Sequence, residues 1–119
     1  MRSQETALLL RVFIGEDDRF DGKPLYEAIV LKARERGLAG ATVLRGPLGF
    51  GHSSRLHTAK ILRLSEDLPV VVEIIDSKEN ITAFLPLLDG MLEGGLVSLE
   101  DVRILRYGPD QNELKVPLG

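Results

Sequence analysis

Apolar residues in this sequence recur with two different periods, and the order in which those periods alternate limits the fold more than any other feature. Ala7 to Ile14 is apolar, partly β-branched and too short for a helix, so it reads as a first strand. Leu8, Leu10, Val12 and Ile14 fall on one face of it, and Leu9, Arg11 and Phe13 on the other. Beyond a polar loop from Gly15 to Lys23, Pro24 suits the first turn of a helix. Leu25, Ala28, Ile29 and Ala33 then recur at helical spacing, with Tyr26 and Val30 widening the stripe and Gly37 placed to stop it. Ala41 to Arg45 and Pro69 to Asp76 read as the second and third strands. Ser77 then caps a second helix with the stripe Ile81, Phe84, Leu85, Leu88, Met91 and Leu92, and Pro86 faces away from it. Gly94-Gly95 ends this helix, and Val102 to Tyr107 supplies the last strand.

The order βαββαβ, with one apolar face per helix, predicts an α+β, ferredoxin-like fold: a four-stranded antiparallel sheet with two helices on one face. We expect a single domain over residues 1–119, with a core of about 7–107 and a tail at 108–119. The uncovered sheet face carries Leu9, Arg11, Phe13, Val71, Glu73 and Ile75, too apolar for full contact with water. It is expected to meet other copies of the chain, with Arg11 and Glu73 paired on adjacent strands. Leu31, on the polar side of the first helix, is either merely exposed or meets a partner.

Composition closes off several function classes. The absence of cysteine removes disulfides, thiolate metal sites and cysteine nucleophiles, and fits a cytoplasmic chain. A net charge of −3 works against general attraction to nucleic acid or anionic membranes. The amino-terminal apolar run is only as long as a strand and is broken by Arg11, which predicts neither a signal peptide nor membrane insertion.

The segment with most chemistry is Arg45-Gly46-Pro47-Leu48-Gly49-Phe50-Gly51-His52-Ser53-Ser54-Arg55. Glycine lets backbone amides approach an anion, and arginine can clamp phosphate oxygens, so the stretch suits a small anionic metabolite such as a nucleotide. The spacing of Gly46, Gly49 and Gly51 matches neither the dinucleotide fingerprint nor a Walker loop, and a loop that needs glycine for backbone reasons fits equally. His52 and His57 are five residues apart without a supporting cysteine, and predict no metal site. Glu16, Asp17, Asp18 and Asp21 lack a calcium-loop pattern and read as a solvated acidic turn. Ser53 and Ser54 have His52 beside them and Asp76 farther off, but no nucleophile elbow, so no catalytic residue is assigned. Arg103 and Arg106 have opposite strand parity, so at most one would face a ligand, and both also read as edge charges that keep a strand soluble.

These parts fall into a layout that resembles PII-type signalling proteins: Gly49-Phe50-Gly51 after the second strand, a long polar segment, Leu68-Pro69, Gly94-Gly95, and Arg103 with Arg106. The stretches Gly15-Glu16-Asp17-Asp18-Arg19-Phe20-Asp21-Gly22-Lys23-Pro24-Leu25-Tyr26-Glu27-Ala28-Ile29 and Gly40-Ala41-Thr42-Val43-Leu44-Arg45-Gly46 resemble more closely the PII-like family called domain of unknown function 190. The resemblance implies a non-enzymatic regulator. It would be a homotrimer with inward-facing sheets, holding an adenine nucleotide in the clefts between subunits. Residues 50–68 would act on a partner such as a transporter, channel or enzyme. The candidate nucleotide-binding set is Gly46, Gly49, Gly51, Lys60, Gly94, Gly95, Arg103 and Arg106. No cofactor is required by this reading. Two departures from PII stand out: residues 50–68 hold no tyrosine for modification, and Glu93-Gly94-Gly95-Leu96 lacks the basic residue that helps bind phosphate. The alternatives are a module that docks a membrane transporter or channel without a ligand, and a small enzyme using His52, Ser53 or His57 in the cleft.

Overall fold

The computed structural model describes residues 5–47 and 67–109. Its elements are β1 (Glu5–Gly15), β2 (Arg19–Phe20), β3 (Lys23–Pro24), α1 (Leu25–Glu35), β4 (Thr42–Arg45), β5 (Pro69–Asp76), α2 (Lys78–Asp89) and β6 (Leu96–Ile104). Strands β4, β5, β1 and β6 lie side by side in that order, each antiparallel to its neighbour. This is the ferredoxin-like α+β arrangement that the periodicity predicts.

The core is where the two kinds of period meet. Leu10, Val12 and Ile14 of β1 and Val70, Val72 and Ile74 of β5 point to the same side of the sheet, against Leu25, Ala28, Ile29 and Ala33 of α1 and Ile81, Phe84 and Leu88 of α2. Each large side chain buried this way stabilises the fold by about 1.5–3 kcal/mol. Ser77 caps α2 as expected, its side chain accepting from the Asn80 N–H at 3.1 Å. Gly37, with φ of 76°, closes α1: its N–H reaches the Arg34 carbonyl, and the Leu38 N–H reaches that of Ala33. These are the paired bonds of a Schellman motif, which needs a left-handed residue at that position.

Four details differ from the sequence expectations. The loop after β1 contains a small hairpin, β2 with β3, turning at Asp21 (φ 52°) and Gly22 (φ 78°). Two positive φ values in succession define the tight turn that an Asp-Gly pair favours. Pro24 consequently ends β3 and stands at the N-cap of α1, with extended ψ, one position before the first helical turn. Helix α2 stops at Asp89 with Gly90 as its C-cap, so Gly94-Gly95 does not end it. Glycine there is a poor helix former, and Met91 and Leu92 bond back to Leu88 and Asp89 in tighter three-residue steps. Met91 stays buried from the turn.

The last strand begins at Leu96 and finishes at Ile104, where Val102 to Tyr107 was expected. Its registry explains the shift. Leu96 lies opposite Phe13 and Ile104 opposite Glu5, so the long strand β1 holds Ser98, Glu100 and Asp101 extended although their intrinsic preference is weak. Arg106 lies beyond the strand, and the parity expected between it and Arg103 does not apply.

Candidate functional site

At the end of the sheet where β1 stops, the described residues on either side of 48–66 are tied to the fold. The Gly46 N–H donates to the Pro69 carbonyl at 2.8 Å, and the Glu16 N–H to that of Leu68 at 2.8 Å. Asp67, at φ 37°, accepts the Asp17 N–H on its carboxylate at 3.1 Å. Arg45 donates to the Tyr26 hydroxyl at 3.0 Å, lies 5.6 Å from that ring's centre, and meets Glu16 at 3.2 Å. Asp18 holds the turn from within, its carboxylate accepting the Gly15 N–H at 3.0 Å and its carbonyl that of Leu25 at 2.7 Å. The acidic turn at 15–18 is therefore an anchor, more than the solvated turn its sequence suggested. Beside it, Asp18, Arg19, Leu25, Met91, Glu93 and Gly94 line a concavity of about 280 Å³.

The opposite end of the sheet has its own hollow. Ala39–Thr42, Glu73, Ile75, Ile104, Arg106 and Tyr107 surround about 390 Å³. Tyr107 reaches across to donate to the Ala39 carbonyl at 3.4 Å. Ala39 is fixed in turn by Asp76, which is 4% exposed and accepts the Ala39 N–H at 2.8 Å on one oxygen. The other oxygen accepts from the Ser77 N–H at 2.6 Å and the Asn80 side chain at 3.0 Å. A buried carboxylate with both oxygens occupied by such donors is a structural brace for the α1–β4 connection.

Between the two ends lies the sheet face that the helices leave open. Arg11 stands opposite Glu73 and donates to it at 2.9 Å, the pairing expected from the sequence, and it also meets Glu100 of β6 at 3.5 Å. The hydrogen bond to Glu73 is the main cause that raises the Arg11 guanidinium above its ordinary pKa, against partial desolvation. Around this bridge, Phe13, Leu44, Ile75 and Leu96 are 37–60% exposed. Apolar side chains clustered on one face in this way mark a surface suited to contact.

The structure distributes the candidate residues as follows. Gly46, Gly94 and Gly95 share one end of the sheet, on its opposite edges. The Gly46 N–H is already committed to the ladder, so it is not an open donor for an anion. Gly95 adopts φ of 91° beside the Phe13 carbonyl. Arg103, opposite Thr6, is eight strand residues from Gly95, about 26 Å along β6. Arg106 lines the far hollow. Within one chain the glycine turn and the arginines are thus kept apart. Gly49, Gly51 and Lys60 lie outside the described residues, as do His52, Ser53, Ser54, Arg55, His57, residues 50–66 of the expected arm and residues 110–119 of the tail. Glu93, Arg19, Thr42 and Tyr107 were not singled out from sequence. Only the fold shows that they line the hollows holding Gly94 and Arg106. Among the described residues, no group of three or more His, Asp or Glu is arranged to hold a metal ion, and no helix is long and apolar enough to cross a membrane.

Comparison with known proteins gives a consistent picture. The family model DUF190, described as Uncharacterized ACR, COG1993, matches residues 7–104. A UPF0166 protein of Aquifex aeolicus is 46% identical over 97 residues, 82% of this chain and 91% of its own. A UPF0166 protein of Methanocaldococcus jannaschii is 34% identical over 101 residues, 84% of this chain and 93% of its own. Among solved structures, a PII-like signalling protein of Thermus thermophilus superposes with a TM-score of 0.61 at 17% identity, over 87% of this chain and 93% of that one. CPII, a nitrogen regulatory PII-like protein from Thiomonas intermedia solved with ADP, AMP and bicarbonate, gives 0.57 at 14% identity, over 89% and 94%. Both share the fold described above.

Proposed function

The chain belongs to the DUF190 family, and from that premise we propose that it is a non-enzymatic, PII-like regulator binding an adenine nucleotide in the clefts between the subunits of a homotrimer. On this reading one subunit supplies the Gly46 and Gly94-Gly95 end of the sheet, with Gly49, Gly51 and Lys60 from the adjoining segment. Its neighbour supplies Arg103 and Arg106. Residues 50–68 carry the signal to a partner in the cytoplasm, a transporter, channel or enzyme.

The observation that carries the proposal is the separation of the glycine turn from the arginines along β6, about 26 Å. No nucleotide phosphate spans that distance, so a site that uses both sets needs a second chain. Support comes from CPII, which shares the fold and binds ADP and AMP. The apolar open face and its Arg11 bridge offer a surface on which copies can meet.

Titration calorimetry with AMP, ADP, ATP and cyclic dinucleotides tests it. We expect saturable binding of at least one adenine nucleotide, weakened at least about tenfold by Arg106→Ala, the scale of one lost charge-assisted contact. Silence from the whole panel at millimolar ligand would remove nucleotide sensing. Capture of the same partner protein with and without nucleotide would instead make the chain a ligand-independent docking module.

A further inference from the structure

We propose that the hollow at Gly94 is a binding site for a small zwitterion, an α-amino acid with an aliphatic side chain. It is a second site beside the nucleotide cleft, and no nucleotide is needed to fill it.

The walls of this hollow hold charges of both signs that the protein leaves unused. Asp18, Arg19, Leu25, Met91, Glu93 and Gly94 enclose about 280 Å³. Among the described residues, neither the Arg19 guanidinium nor the Glu93 carboxylate takes part in a hydrogen bond or ion pair, so the two line one concavity without reaching each other. Asp18 is half engaged: its Oδ2 accepts the Gly15 N–H at 3.0 Å, and its Oδ1 has no partner among the described residues. The backbone of Asp18 is fixed, its carbonyl accepting the Leu25 N–H at 2.7 Å and its own N–H reaching the Gly15 carbonyl at 3.2 Å. Arg19 stands opposite Pro24 in the β2–β3 hairpin, beside the start of α1. Glu93 and Gly94 come from the turn between α2 and β6. Leu25 and Met91, 4% and 7% exposed, belong to the core and give the hollow an apolar floor.

This pattern selects by chemistry. A guanidinium holds a carboxylate through charge-assisted hydrogen bonds, and carboxylates hold an ammonium in the same way. A simple anion in the hollow meets Asp18 and Glu93 as like charges, and a simple cation meets Arg19. A ligand carrying both groups answers both walls at once. An α-amino acid has its carboxylate and ammonium on one carbon, with Arg19 facing the first and Asp18 Oδ1 and Glu93 the second. Its aliphatic side chain covers Leu25 and Met91, whose unbranched thioether adapts to the shape laid on it. The volume agrees, lying just below the roughly 300–1,000 Å³ of pockets that take drug-sized ligands.

The test is calorimetry on the full chain without nucleotide, using leucine, isoleucine, valine and methionine. For whichever binds best, the counterparts lacking the amino group or the carboxyl group are titrated beside it; for leucine these are 4-methylpentanoate and 3-methylbutylamine. We expect saturable binding of at least one amino acid, with each counterpart at least about tenfold weaker, the scale of one lost charge-assisted contact. Arg19→Gln removes the preference over the amine and Glu93→Gln reduces the preference over the acid. Both replaced side chains are exposed, so the fold survives. Glu79→Gln, on the exposed first turn of α2 and outside the hollow, leaves binding unchanged. Silence from all four amino acids at millimolar concentration overturns the proposal. A counterpart that binds as tightly as its amino acid overturns the zwitterion. Binding indifferent to Arg19→Gln and Glu93→Gln, or weakened equally by Glu79→Gln, removes this hollow as the site. None of these outcomes bears on nucleotide binding, which is read in a separate titration.

Discussion

At Gly95 the backbone has φ of 91°, and a Cβ there would stand 2.7 Å from the Phe13 carbonyl oxygen and 3.1 Å from a methyl of Ile14. Both facts require glycine for the entry into β6, independently of any ligand. Gly95→Ala should therefore cost about 1–3 kcal/mol of stability, read as a lower urea midpoint with an unchanged slope; an unaltered midpoint would show that the turn relaxes freely. Other single residues were more legible in the sequence. Ser77 announced its cap because a hydroxyl ahead of a helical stripe has one obvious use. Asp76 was read only as a distant partner for a serine, since its brace on Ala39 joins residues 37 positions apart. Such a contact has no local sequence signal.

Among the elements, those with a strong period were readable and those shaped by a neighbour were not. Strand β5 runs over the residues its β-branched run predicts, and both helices bury the centres of the stripes assigned to them, with Tyr26, Val30 and Leu85 half-buried and Met91 buried from the turn beyond α2. Strand β6 was placed too late because Ser98, Glu100 and Asp101 are held extended by β1. The β2–β3 hairpin did carry a local signal, the pair Asp21-Gly22, which the acidic character of the loop obscured. The pairing of Arg11 with Glu73 followed from register alone; Glu100 emerged only once β6 was extended. This three-strand bridge also tests what covers the open face. Replacing Arg11 by Ala leaves Glu73 and Glu100 flanking a vacated position, tolerable in water and strongly unfavourable inside an interface. In the proposed homotrimer, sedimentation velocity should show Arg11→Ala dissociating the subunits, with recovery when Glu73→Gln and Glu100→Gln are added. An Arg11→Ala assembly as intact as the parent would mean that the bridge faces solvent.

For the whole molecule, the sequence supplied the parts of a site but not their distribution. Glycines and arginines that look like one constellation in the chain stand at opposite ends of one strand, because β6 runs the length of the sheet between them. Assembly is what reunites them in our account, with the open face between subunits and the anchored residues Gly46, Asp67 and Leu68 at the glycine-turn end of the sheet. Subunit complementation tests this most directly. Gly94→Glu should abolish nucleotide binding by spoiling one wall and Arg106→Ala by spoiling the other, each in a uniform assembly. Co-expressed, the two chains should regain binding in about a quarter of their clefts, those that pair an intact glycine turn with a neighbour's intact arginine. Mixed assemblies that stay silent while the parent chain binds nucleotide would contradict a site shared between subunits.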